Sequence, residues 1–297
     1  MSTGHYIILE ARGLLRAAGP DARSFLQGMV SNDVTKVGPG RAVWSAFLTP
    51  QGKFLHEFFM TEDPGAGAES LWLECEAARL EDLRGRLVRY KLRAKIDLTD
   101  VSADHAVAAI FGDGALEALS LPAELGAAKA FGGGIVYVDP RLTGLGARAV
   151  LPRAGAQAAL EGAGLAAAAQ TDYDALRIGF GVPDGSRDLE VERSPLLENG
   201  FDELHGVDWD KGCFMGQELT ARTKYRALIK KRLVPVTIEG PAPEPGTQIT
   251  AAGKNAGVLR SSVDGMGLAL LRLEHLEAPL LAGEAQLTAI KPDWLNI

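Results

Sequence analysis

Two apolar periodicities alternate along the chain, and the places where one gives way to the other mark its elements. Tyr6–Leu9 is a short run of β character, and Leu14–Ala17 is a second, expected to pair with it. Pro20-Asp21 opens a helix with Phe25, Leu26 and Met29 on its apolar side, and Gly28 with Ser31-Asn32-Asp33 ends it. Val43–Leu48 and Phe54–Met60 flank Thr49-Pro50-Gln51-Gly52-Lys53, whose Pro and Gly suit a compact turn, so a hairpin is expected. Leu71–Cys75 reads as a strand, and the helix after it keeps Leu80, Leu83 and Leu87 at the i, i+3, i+7 spacing. From Arg89 to Ile96, the cations Arg89, Lys91, Arg93 and Lys95 alternate with Tyr90, Leu92, Ala94 and Ile96. That period of two predicts a strand over 89–98 with its cations on one face. Such a strand is either an edge protected by charge or a cationic wall of a ligand cavity.

Ala106–Phe111 with a helix near Ala115–Leu119 suggests a further strand–helix pair, and strands follow at Ile135–Val138 and Gly146–Leu151. Helices are expected over 153–163 and 172–178, and no fixed repeat period appears. From Arg232 the texture changes. Leu233–Ile238, a Pro/Gly stretch over 240–246, and short runs at 248–250, 257–259, 267–273 and 286–290 suggest a small barrel. A boundary near 232 divides the chain into 1–232 and 233–297.

The composition is that of an ordinary globular protein, with 46% hydrophobic and 23% charged residues. A net charge of −7 argues against a general polyanion binder. Cys75 and Cys213 are the only thiols in 297 residues, too few for a disulfide scaffold and short of the four thiolates that usually hold an iron–sulfur cluster. The five histidines are scattered without metal-ligand spacing, so no metal site is expected. Neither a GxGxxG turn nor a P-loop is present. The first residues lack the features of a leader, and no apolar run approaches the roughly 20 residues of a membrane span. A cytoplasmic protein is expected.

Val207 to Arg222 departs most from scaffold. An apolar-acidic alternation over Val207–Asp210 suits a strand end, and a helix-forming run begins at Gln217. Cys213 stands between Gly212 and Gly216 with Lys211 close by, and a cation and a helix start both favour a thiolate. His205, eight positions earlier, is a conceivable base for it. The alternative is a small buried thiol with no chemistry. Glu218 and Arg222 are spaced to pair on one helix face. Arg222, Lys224, Arg226, Lys230, Lys231 and Arg232 then form a cationic run in an acidic chain, suited to an anion.

Lys211-Gly212-Cys213-Phe214-Met215-Gly216-Gln217-Glu218, with Arg222 beyond it, resembles the motif of the YgfZ-type folate-binding proteins. These are relatives of the glycine-cleavage T-protein (aminomethyltransferase), and their mitochondrial counterparts serve iron–sulfur protein maturation. The likeness extends to Phe25-Leu26-Gln27-Gly28, Gln51-Gly52-Lys53, Pro195, Gly257 and Gly267-Leu268-Ala269, and is thin over 100–170. Ala227 stands where relatives often have Gly. The resemblance implies an α+β fold in which two interlocked ferredoxin-like lobes and a small C-terminal β-barrel surround a central folate cavity. It implies tetrahydrofolate or a one-carbon derivative as cofactor, and iron–sulfur client or assembly proteins as partners. Cys213 would be the functional thiol with Lys211, Gln217 and Glu218 beside it, and Arg222, Arg226, Asp82, Glu198 and Asn199 would contact folate. Asp82 matches a T-protein carboxylate that positions the folate amine, which leaves a one-carbon transferase as the alternative. Against that, Glu74-Cys75 stands where the T-protein has Val-Asn, and the Lys-Gly-Cys string is not a T-protein feature. RNA binding through the cations of 84–95 and 222–232 is a third reading.

Overall fold

The computed structural model describes residues 4–226 and 229–296, so the Ala227 departure lies outside the described residues. The chain forms two compact units. The first takes Met1–Phe47, His56–Gln170 and His205–Met215, and the second takes Leu48–Leu55, Thr171–Leu204 and Gly216–Ile297.

Two sheets build the first unit. In chain order its elements are β1 (His5–Ile8), β2 (Arg12–Ala18), α1 (Ala22–Met29), β3 (Val43–Leu48), β4 (Phe54–Asp63), β5 (Gly67–Glu76), α2 (Leu80–Lys91) and β6 (Asp97–Asp100). They continue as β7 (His105–Phe111), α3 (Ala115–Ala118), β8 (Ala128–Phe131), β9 (Gly134–Val138), β10 (Ala147–Pro152), α4 (Ala156–Gly162) and β11 (Ala166–Ala167). One sheet runs β3-β4-β5-β2-β6 and the other β11-β1-β7-β10-β9-β8. The expected pairing of the first two strands does not occur: β1 pairs with β7 and β11, whereas β2 pairs with β5 and β6. The short link between them crosses from sheet to sheet. Leu9 N–H donates to Val107 O on one side, and Ala11 O accepts from Ala77 N–H on the other.

The strand expected over 89–98 is also corrected. α2 runs on through Lys91, burying Leu80, Leu83 and Leu87, and Arg89 and Lys91 occupy its last turn, where cations complement the helix dipole. A turn follows, and β6 begins only at Asp97. Of the four alternating apolar residues only Ile96 is buried.

One face of the β1 sheet is apolar and is covered by α4, with Ala108, Ile110, Val136, Val138 and Leu151 packed around Leu160. Its other face carries Tyr137 and Arg148, and these meet the first sheet across a buried ionic seam. Glu74 of β5 accepts from Arg12 Nε at 2.6 Å, Arg148 Nη2 at 2.6 Å and Tyr137 Oη at 2.9 Å. Arg12 Nη1 also reaches Glu57, whose second oxygen accepts from Trp44 Nε1 at 2.6 Å. The Phe59 ring lies 4.2 Å from the Arg148 guanidinium and 4.8 Å from that of Arg141. Burial alone would raise the Glu74 pKa, but Arg148 and Arg12 bring it down to about 2.

The second unit holds α5 (Gln170–Gly179), α6 (Gly185–Asp188), α7 (Gln217–Tyr225) and a closed barrel. The barrel strands are β12 (Lys231–Glu239), β13 (Gln248–Ala251), β14 (Lys254–Val263), β15 (Met266–Arg272), β16 (Leu280–Ala282) and β17 (Ala285–Ala289), closed in the order β12-β15-β14-β13-β16-β17. Alternate residues, among them Val234, Val236, Ile249, Leu259, Leu271 and Leu287, fill its interior. β16 has only three residues and gave no periodic signal. Arg177, fully buried, is held by Asp174 and Asp188, and Ser261 of β14 donates to Asp188 at 2.6 Å. Among the described residues no helix is long and apolar enough to cross a membrane.

Candidate functional site

The Lys211–Met215 segment is tied to the C-terminal end of α1, where a helix leaves carbonyls without intrahelical donors. Lys211 Nζ donates to two of them, Gln27 O and Val30 O, each at 2.6 Å. A cation there also meets the negative end of the helix dipole. Met215 N–H donates to Gly28 O at 3.1 Å. The Gln27 side chain stitches the same corner: its Oε1 accepts from Val34 N–H, and its Nε2 reaches Asp33 and Lys211 O. Phe25-Leu26-Gln27-Gly28 and Lys211-Gly-Cys-Phe-Met, far apart in sequence, therefore form one structure. Phe214 is buried, with Lys211 Nζ 5.1 Å from its ring centroid, and desolvation of the Lys211 ammonium lowers its pKa to about 8 against the pull of Asp33 and Asp208.

Cys213 sits between these anchors and is exposed. Gly212 before it adopts φ 90°, a left-handed backbone that favours glycine and lets the chain turn outward. Cys75 is the opposite case. It is buried in β5, and burial pushes its thiol up to about 12, so it is chemically inert. The strand expected at Val207–Asp210 is irregular chain instead. Asp208 turns back to pair with Lys36 at 2.5 Å and to accept from Asp210 N–H, so its carboxylate shapes a loop. His205 is exposed, and among the described residues no contact joins it to Cys213; it is held through its carbonyl, which accepts from Asn32 Nδ2 at 2.7 Å. Asn32, Lys36, Trp44, His205, Asp208 and Trp209 line part of a cavity of about 390 Å³ in this unit.

The second half of the motif belongs to the other unit. Gly216 has φ 80°, and a Cβ there would lie 2.6 Å from Thr49 O and 2.9 Å from the Gly52 Cα. A Cβ on Gly52 would in turn meet Gly216 O at 3.0 Å. The hairpin turn and the start of α7 therefore touch backbone to backbone, which only glycines permit. Gln217 opens α7, and Glu218 pairs with Arg222 at 2.8 Å on its exposed face, as the spacing predicts. Arg226 caps the helix and is exposed. Gly52, Lys53, Pro195, Leu197, Thr220 and Arg222 line part of a 210 Å³ cavity. Glu198 is half-buried nearby. Burial raises its pKa, opposed by Lys231, Lys53 and Arg232. Asn199 is fully buried, and its amide donates to Pro195 O at 2.8 Å, fixing the local turn.

Asp82 stands apart in the first turn of α2 in the first unit. Its carboxylate meets His56 Nε2 and Arg86 Nε, both at 2.9 Å, with Arg79 at 3.6 Å. Partial burial pulls its pKa up, but Arg86 and His56 bring it below the ordinary carboxylate value. Burial and Arg79 hold His56 down to about 4, so it is neutral at pH 7. Sequence reasoning missed the ionic seam, because Arg12, Glu57, Glu74 and Arg148 each read as a lone charge within a β run.

Residues 230–297 match the family model of the CAF17 C-terminal beta-barrel domain. Along the whole chain, iron-sulfur cluster assembly factor IBA57, mitochondrial, from Mus musculus is 35% identical, covering 96% of this chain and 84% of that protein. The chain belongs to the IBA57 family of iron–sulfur cluster assembly factors. The Homo sapiens IBA57 is 33% identical over the same shares. Glycine cleavage system aminomethyltransferase T from Bartonella henselae superposes with a TM-score of 0.78, covering 99% of this chain and 87% of that one at 15% identity. The resemblance to YgfZ-type proteins and the α+β fold with a C-terminal barrel are thus borne out. The expectation of a cytoplasmic protein is not: the matched IBA57 proteins are named as mitochondrial. That expectation rested on the first residues and on thiol usage, and thiol usage reports redox conditions without naming a compartment.

Proposed function

We propose that the chain supports iron–sulfur cluster assembly, binding tetrahydrofolate or a one-carbon derivative and working through the Cys213 thiol. The observation that carries this reading is an exposed thiol on a segment whose neighbours are fixed, with Lys211 spanning two carbonyls at the end of α1. A rigid mount of that kind presents one sulfur to a partner at little ordering cost. Lys211 serves as the anchor, and Gln217 and Glu218 begin the helix that carries the motif's cations. Iron–sulfur client or assembly proteins are the expected partners.

The residues present also suit a folate. The pterin edge offers adjacent N–H donors, and Glu198, a half-buried carboxylate, is an acceptor of the matching kind, in a turn that Asn199 holds. The glutamate tail needs exposed cations, and Arg226 supplies one, with Arg222 already engaged by Glu218. The one-carbon transferase reading, with Asp82 as its acid–base group, is less well supported. A carboxylate held ionised by Arg86 and His56 is a weak base.

Titration with tetrahydrofolate, its polyglutamate form and a tail-less pterin tests the folate part. Arg226→Glu should weaken the polyglutamate at least about tenfold while leaving the pterin nearly unchanged. Equal losses for both ligands would place Arg226 elsewhere.

A further inference from the structure

The end of α2 carries a feature that the assembly-factor reading leaves unused. Val88 and Tyr90 are 47% and 42% exposed, and Leu92 is 90% exposed. Leu92 is also held in a costly backbone, with φ 45° and ψ −105°. Lys91 O accepts from Ala94 N–H at 2.8 Å, which closes a four-residue turn with Leu92 in its second place. Those angles are the type II′ pattern, where that place is normally glycine. A branched side chain there is strained and, standing in water, gains little back from burial. The charge around the turn is mostly positive, although the Asp21 carboxylate accepts from Lys95 N–H at 2.7 Å. Lys91 reaches Asp97 only at 3.8 Å, and among the described residues Arg89, Arg93 and Lys95 have no ion-pair partner, in a chain of net charge −7.

We propose that Val88–Lys95 is a docking surface for an acidic protein, with Leu92 as the apolar anchor that enters a recess ringed by carboxylates. The inference depends on neither folate nor Cys213. Charge complementarity selects the partner: three unpaired cations surround the apolar tip and leave the rest of the protein acidic. A long polyanion or an anionic bilayer would meet that acidic remainder as well, whereas a protein patch engages the local field alone. A fluid bilayer demands no particular backbone, but a shaped recess rewards a knob fixed in one conformation.

The test places a photo-crosslinking residue at Val88 in the full chain within its own cells and identifies the captured protein. Affinity for that purified protein is then measured. One acidic protein is expected, bound about tenfold or more weakly by Leu92→Gly and by Arg89→Glu/Arg93→Glu. Reversing the partner's contacting carboxylates to Lys should restore binding to the double variant. Leu92→Gly should leave the thermal midpoint unchanged or higher, because glycine relieves the turn. A captured protein whose affinity is unmoved by Leu92→Gly, or the absence of any dominant captured protein, overturns the proposal. So does Leu92-dependent binding to phosphatidylcholine–phosphatidylglycerol vesicles or to a single-stranded RNA oligonucleotide.

Discussion

Between the two sheets of the first unit, Arg12, Glu57, Glu74, Arg148 and Tyr137 answer one another, and none of these polar groups reaches solvent to any extent. At Lys211–Met215 the same unit uses charge differently. One lysine is taken up by helix-end carbonyls, and the thiol two residues later stays exposed. Both regions are rich in polar atoms, but the seam is closed on itself and the loop leaves one thiol exposed. Full mutual satisfaction of buried polar groups marks a structural network.

The sharpest break of that contrast is Glu74→Ala. It leaves Arg12 and Arg148 buried without their shared carboxylate, and a loss of about 3–5 kcal/mol is expected by urea unfolding. A loss under about 1 kcal/mol would mean that the seam is not closed on itself. The opposite face of the same sheet supplies the next effect. The His56 pKa is lowered from 6.5 to about 4 in the fold, so between these values the unfolded chain binds a proton that the folded chain refuses. Stability should therefore fall as pH drops through that window, by up to about 3 kcal/mol, and His56→Asn should flatten the slope. An unchanged slope in that variant would assign the acid sensitivity to other groups. The smallest effect belongs to the loop. Lys211→Met keeps the contact with Phe214 but loses both carbonyl bonds, costing about 1–3 kcal/mol, with faster exchange at the Met215 amide. Unaltered exchange there would show that Met215 holds the segment without Lys211.

Legibility in the sequence followed the range of the interactions. The hairpin across Thr49–Lys53, the helix at α1 and most barrel strands were readable, because apolar period and turn residues are local. Residues 89–96 misled, since the cations ending an amphipathic helix happened to fall into a period of two. The partition of β1 and β2 between two sheets is a tertiary choice that their own residues do not encode. Arg12 and Glu74 lie 62 residues apart, and Glu74 and Arg148 lie 74 apart, so no window contains the seam. The Lys211–Arg222 string was readable through family resemblance, but its division between an anchored loop and a helix start follows from α1 and the hairpin turn, which are distant in sequence. Glycines at 52 and 216 looked like separate turns and are a single backbone contact.

The most direct measurement replaces Cys213 with Ala in the full chain and follows iron–sulfur enzyme activity in a strain lacking its own copy. The Cys213 side chain is exposed, so folding and the urea midpoint should stay within about 0.5 kcal/mol of the parent. The expected result is that this well-folded variant binds tetrahydrofolate as the parent does and fails to restore the enzymes. Full restoration by the variant would contradict the role of the thiol.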